Sequence, residues 1–192
     1  SAMGEIVKMA VIKDAKLFEM LENNIVSIME QKFLVDGIAD GIIFDSIKGM
    51  ADELEPNLWE TNLKRIVDFG HSFSPALEMK SLSDTEVDSL THGQAVALDV
   101  IFSSCLSYHR NLLTEQDLDK IINVCIKCNL PVYHPYFEDY LLLWSSLLDT
   151  VKHRNGDQNL PIPTTIGQAI FLNDVTLNEV KESTNIFREK TL

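Results

Sequence analysis

From Ala95 to Tyr108, apolar side chains fall at nearly every angle of a helical wheel, among them Leu98, Val100, Ile101, Phe102, Cys105 and Leu106. A helix without a polar face is buried all round, so the remainder of the chain must supply the apolar surfaces that enclose it. Suitable segments lie on both sides. The first thirty-odd residues read as helical patterns separated by polar Lys13-Asp14 and Glu22-Asn23-Asn24, and residues 24–35 and 37–54 continue in the same manner. Residues 81–90 are polar and acidic and read as a loop. Thr114 with Asp117 predicts a capped helix start, and Leu118, Ile121, Ile122, Cys125 and Cys128 then mark one face of a helix ending near Asn129. Tyr140 to Leu148 reads as another core helix. Leu160-Pro161-Ile162-Pro163 and Gln168 to Leu172 look extended, with the prolines confining the first to an edge or a turn, which predicts a small β-hairpin near residues 158–172. Thr176 with Glu179 forms a capping box, and Leu177, Val180 and Phe187 follow in a terminal helix. The expected fold is mainly α: one multi-helix domain over residues 1–192.

With 192 residues, 45% of them hydrophobic, the chain can bury a sizeable core. Its 29 acidic residues outnumber 16 basic ones for a formal charge of -13, which would repel a phosphate backbone or an anionic lipid surface, so neither nucleic acid nor membrane is expected as a partner. Apolar runs such as 7–12 and 141–148 are broken well short of the roughly 20 residues of a bilayer span. Three cysteines in a chain without a charged-then-apolar leader point to a reducing, cytoplasmic setting. Cys125 and Cys128 have the gap of a zinc or redox pair, but there is no second pair and both lie on the apolar face of their helix, so core packing is expected. Trp59 and Trp144 are read as packing residues, His109 as the end of the buried helix, and His134 as part of a Pro-Tyr-rich turn.

Two histidine motifs carry the chemistry. They are Asp68-Phe69-Gly70-His71-Ser72-Phe73-Ser74-Pro75 and Leu90-Thr91-His92-Gly93-Gln94. His71 and His92 are 21 residues apart, unlike the compact pairs that one helix supplies, and on residue type alone each is more commonly a hydrogen-bonded core histidine. Glu5 and Lys8 share a helix face at a spacing of three, which serves a structural ion pair as well as a site.

These motifs, with Met3-Gly4-Glu5-Ile6-Val7-Lys8 and Pro163-Thr164-Thr165-Ile166-Gly167, resemble the C-terminal, metal-binding half of the sugar phosphate cyclases, the family of 3-dehydroquinate synthase and the sedoheptulose 7-phosphate cyclases. The resemblance runs from Gly4 to about Asp174. It implies that Glu5, His71 and His92 ligate a metal, with zinc or cobalt suiting one carboxylate and two imidazoles. It implies that Lys8, Asp68 and His153 are catalytic, and that Lys8, Lys64, Arg65, Asp68 and His153 bind a sugar phosphate. Pro75 stands where dehydroquinate synthases usually carry a second histidine, and the Gly-His-Ser-Phe-Ser-Pro form looks like that of the sedoheptulose branch. Met50 stands near the place of a basic, carboxylate-binding residue of the dehydroquinate enzymes; by residue type it is simply core. Asp68 and His153 resemble the 2-epi-5-epi-valiolone synthases more than the desmethyl-4-deoxygadusol enzymes. Outside the family, Asp68 would read as an element terminus and His153, between Lys152 and Arg154, as part of a solvated charge run.

The implied activity is an NAD- and metal-dependent loss of phosphate from sedoheptulose 7-phosphate with closure to a cyclitol. Dehydroquinate or desmethyl-4-deoxygadusol synthesis is the enzymatic alternative, and a helical interaction module with structural histidines is the non-enzymatic one. The family's NAD-binding half is Rossmann-like, and no Gly-x-Gly-x-x-Gly turn occurs here. The chain is therefore expected to be the C-terminal domain of a larger, homodimeric enzyme, inactive or nearly so alone.

Overall fold

The computed structural model describes residues 2–34 and 37–192. Ser1, Val35 and Asp36, at the margins of segments expected to be helical, lie outside the described residues. In chain order the elements are α1 (Ala2–Ile12), α2 (Ala15–Glu30), α3 (Ile38–Leu54), α4 (Ser74–Ser83), α5 (His92–His109), α6 (Glu115–Lys127), α7 (Tyr140–His153), β1 (Leu160–Thr165), β2 (Gln168–Leu172) and α8 (Leu177–Thr191).

The all-apolar pattern of α5 has the expected consequence. Every residue from Ala95 to Ser107 is buried, and the helix is wrapped mainly by α1 and α8, with α4, α6 and β1 closing the rest. Phe73, Phe102, Phe137 and Phe187 form an aromatic cluster against it, with the rings of Phe73 and Phe102 edge to face at 4.9 Å and those of Phe137 and Phe187 stacked at 5.4 Å. Helix starts are set by side chains that satisfy otherwise orphaned amides. Asp14 Oδ1 accepts from the amides of Lys16 and Leu17, Thr114 Oγ1 from Asp117, and Asp139 Oδ1 from Leu141 and Leu142. Thr91 with Gln94, and Thr176 with Glu179, make reciprocal capping boxes. The hairpin is antiparallel, pairing Leu160 with Leu172 and Ile162 with Ile170, and it packs β1 on α5, where Ser107 Oγ donates to the Pro163 carbonyl.

Four expectations need correction. Glu22-Asn23-Asn24 does not interrupt α2, because Leu17, Phe18, Leu21, Ile25 and Ile28 continue its buried stripe while Asn24 Nδ2 turns back to donate to the Met20 carbonyl at 2.8 Å. The loop expected at 81–90 begins later: α4 runs through Ser83, since Ser81 faces inward, donating to the Glu78 carbonyl and accepting from the Leu90 amide. The helix starting at Tyr140 extends to His153 and is amphipathic rather than core, with Leu141 and Leu148 56% and 42% exposed. Trp144 packs partly buried against the core, but Trp59 is 90% exposed and packs on nothing substantial.

The three cysteines are free and buried, and burial pushes their thiols well above the usual range. Cys125 and Cys128 are thus packing residues, as expected. No helix among the described residues is long and apolar enough to cross a membrane.

Candidate active site

Glu5, His71 and His92 meet at one point. Glu5 lies on the first turn of α1, His92 is the first residue of α5, and His71 sits in the turn that leads into α4. Two glycines make the meeting of α1 and α5 possible: a Cβ on Gly4 would lie 2.1 Å from the Gly93 carbonyl oxygen, so the helices approach backbone to backbone beside Glu5 and His92. Gly70, at φ +75°, gives the left-handed turn ahead of His71 where a side chain would press on Val96 and Val100 of α5. The turn is then pinned from α5, because the Asp99 carboxylate accepts from the amides of Ser72, Phe73 and Ser74 at 3.0, 2.7 and 2.9 Å and from Ser103 Oγ at 2.9 Å. In this way a residue in the middle of the buried helix caps the start of α4. Burial raises the Asp99 carboxyl pKa against the pull of those donors.

Glu5 Oε1 stands 3.4 Å from His71 Nε2 and 3.1 Å from His92 Nε2, and the three donor groups offer ligand atoms all within 4.8 Å of one another. Each imidazole has an acceptor on its far nitrogen: the Phe69 carbonyl lies 3.1 Å from His71 Nδ1, and Glu78 Oε2 lies 3.0 Å from His92 Nδ1. An acceptor there places the hydrogen on Nδ1 and leaves Nε2 as the donor atom, the usual support of a metal-binding histidine. The other oxygen of Glu5 is paired with Lys8 Nζ at 2.7 Å, and Lys8, only 2% exposed, also donates to the Val67 carbonyl at 2.9 Å. Burial by itself would raise the Glu5 carboxyl, but His71 and Lys8 outweigh it and hold the pKa at about 2. For His71, burial works downward and the bond to Glu5 overcomes it, so its pKa is raised. One ionised carboxylate and two imidazole Nε2 atoms from separate elements form a donor set that fits zinc or cobalt.

A cleft of about 710 Å³ opens beside these groups, lined among others by Glu5, Lys8, Arg65, Asp68, His71 and His153. Six of the expected site residues therefore share one wall system, while His92 completes the group of Glu5, His71 and His92 from outside the lining. Lys64 is exposed and does not line the cleft. Asp68 is held by Arg65, with contacts of 2.7 and 3.2 Å, and by Arg154 Nη2 at 3.4 Å. Arg65 also pairs with Glu60. Arg154 departs from the charge-run reading of residues 152–154: it is 5% exposed, and its guanidinium donates to the Gln158 carbonyl at 2.7 Å, with Asn159 O and Ser72 Oγ at 3.3 Å. Glu60, Glu78, Asp99 and Arg154 escaped the reading of the sequence because none belongs to a motif, and each acts on a group 5 to 86 positions away, Asp99 through a backbone turn. Against the other wall of α1 lies an apolar groove of about 780 Å³, lined by residues including Met3, Ile6, Ile43, Ile47 and Met50.

Residues 2–153 match the model of the 3-dehydroquinate synthase C-terminal family, and the chain belongs to that family. Among its relatives, the 2-epi-5-epi-valiolone synthase of Streptomyces hygroscopicus subsp. jinggangensis (strain 5008) is 44% identical over 186 residues, 94% of this chain and 44% of that protein. The synthase of the same name from Streptomyces albus is 40% identical over 194 residues, 98% of this chain and 46% of that protein. The demethyl-4-deoxygadusol synthase of Trichormus variabilis is 29% identical over 187 residues, 94% of this chain and 44% of that protein. The solved structure of ValA, the 2-epi-5-epi-valiolone synthase from Streptomyces hygroscopicus subsp. jinggangensis 5008 with NAD+ and Zn2+ bound, superposes with a TM-score of 0.91 at 44% identity, covering 98% of this chain and 50% of that one. The chain thus spans about half the length of the curated relatives it matches.

Proposed function

We propose that this chain is the metal- and substrate-binding half of a 2-epi-5-epi-valiolone synthase, a carbon–oxygen lyase that converts sedoheptulose 7-phosphate to 2-epi-5-epi-valiolone with loss of phosphate. The observation that carries the reading is the convergence of Glu5, His71 and His92 beside a cleft with several charged side chains in its lining, in a chain 44% identical to a synthase of that name. When bound, a zinc or cobalt ion would polarise substrate hydroxyls and NAD would take and return a hydride.

The chain's own residues do the rest. Lys8 balances the charge of Glu5, so the three ligands bring almost no net negative charge and the ion's field is left for the substrate's oxygens. Arg65 and His153 supply the cationic and proton-carrying groups of the cleft wall, Lys64 approaches from outside it, and Asp68, steadied by two arginines, orients hydroxyls. Met50 in the lining leaves that stretch without a cation, which suits a substrate lacking a carboxylate. The reading places NAD on a Rossmann-like domain outside this chain, within a homodimeric cytoplasmic enzyme. Exposed Phe44, Ile47, Leu58 and Trp59 support such company, since large apolar side chains are costly to leave in water.

Phosphate release and cyclitol formation from sedoheptulose 7-phosphate, with NAD+ and zinc, test the proposal. The 192 residues alone should show no measurable turnover, and a polypeptide joining them to an NAD-binding domain should release phosphate and cyclitol in equal amounts. Robust turnover by the 192 residues would overturn the half-enzyme reading. Formation of demethyl-4-deoxygadusol from sedoheptulose 7-phosphate, or of 3-dehydroquinate from the dehydroquinate enzymes' own substrate, by the longer polypeptide would overturn the valiolone assignment.

A further inference from the structure

His71 and His92 are held in different ways. His71, its side chain 27% exposed, sits at the head of a turn that Asp99 fastens at three amides, and its Nδ1 faces a backbone carbonyl that cannot move independently. His92 is the first residue of its helix with a side chain 49% exposed, and its ring has two polar contacts, Glu5 at Nε2 and Glu78 at Nδ1. An exposed imidazole at a helix start is free to turn about two side-chain bonds unless something outside its own helix restrains it. Glu78 comes from α4, a helix anchored by buried Leu77 and Ser81.

We propose that Glu78 is the positioning residue of His92: its carboxylate accepts a hydrogen bond from Nδ1–H, fixes the tautomer, and aims Nε2 at the point shared with Glu5 and His71. This rests on the reading of Glu5, His71 and His92 as metal ligands and adds a fourth side chain to that machinery. Glu78 is not itself a ligand, since it holds the ring nitrogen on the side away from the site and stands outside the group whose donor atoms lie within 4.8 Å. A carboxylate at Nδ1 also makes the opposite nitrogen a stronger donor, so the residue tunes as well as aims.

The test is a titration of the metal-free 192-residue chain with Co2+, read by visible absorption, and with Zn2+ in competition against a chromophoric chelator. Glu78→Ala should weaken zinc binding about 10–100-fold and shift the cobalt absorption. Glu78→Gln should recover most of both, because its amide oxygen still accepts from Nδ1. A role in folding alone would lower the thermal midpoint while leaving the cobalt absorption where it was, and that result overturns the proposal. So does an E78A variant that binds zinc as tightly as the unaltered chain, in which case the metal reading itself stands. No zinc uptake by the unaltered chain sinks both.

Discussion

Gly4 of α1 and Gly93 of α5 touch backbone to backbone, with no room between them for even a methyl group. Gly4 stands next to Glu5 and Gly93 next to His92, so the separation of the backbones that carry those two side chains is set by a helix–helix contact.

Gly4→Ala therefore tests the architecture of the site. A Cβ at 2.1 Å from a carbonyl oxygen cannot be accommodated without moving one helix, because the obstacle is main chain. The expected cost is about 1–3 kcal/mol in a denaturant titration, accompanied by weaker zinc binding. A variant with unchanged midpoint and unchanged zinc affinity would show that the contact does not govern the site.

Metal analysis of ligand variants follows from the donor set. Zinc-reconstituted chain should carry about one ion, and Glu5→Gln, His71→Ala or His92→Ala should each lose it, since a three-ligand site deprived of one donor holds a dication poorly. His109→Ala, at the far end of α5, should keep it. Retention of the ion by all three ligand variants would refute the site.

Asp99 offers a sharper contrast. Asp99→Ala strands three buried amides and the Ser103 hydroxyl at once, for an expected loss of at least about 3 kcal/mol. Asp99→Asn keeps an acceptor oxygen and should lose clearly less. Denaturant midpoints of the two decide it, and equal losses would mean that the hydrogen bonds are not what the carboxylate contributes.

Acid stability should depend on Glu179. Burial raises its carboxyl, but the 2.7 Å pair with Arg110 and the capping bonds from Thr176 outweigh that and hold it below the usual carboxylate range. The unfolded chain then binds this proton more readily than the folded one, so stability rises with pH up to the unfolded pKa, near about 4.3, and is fully present above it. It is lost as pH falls through the lower folded value. Glu179→Gln should flatten the acid limb of a midpoint-against-pH curve below about pH 5. An unaltered limb would locate the acid sensitivity elsewhere.

The fold was readable where a pattern is local. The all-apolar run of α5 announces a central helix, and Thr114, Thr176 and the proline-bearing strand mark their own elements, because caps and turns are decided within a few residues. The misreadings came from elsewhere. Glu22-Asn23-Asn24 looks like a break until the buried stripe on the opposite face of α2 is seen to continue through it, and Trp59 is apolar by type yet lies in water. Of the site, Glu5, His71 and His92 were legible through motifs shared with a family, not through spacing. Asp99 and Arg154 were not, since a carboxylate inside an apolar helix and an arginine beside Lys152 and His153 betray their partners only when the chain is folded. Glu78 has no sequence signal at all.

His92 opens α5, and Asp99, seven positions along the same helix, holds the turn that bears His71. The backbones that carry both imidazoles thus hang from a single rigid rod, and the gap between those attachment points inherits its value from helical pitch. The acidic stretch after Ser83 that joins them in sequence is not what measures that gap, so lengthening it by a few residues should leave the two rings at the same separation.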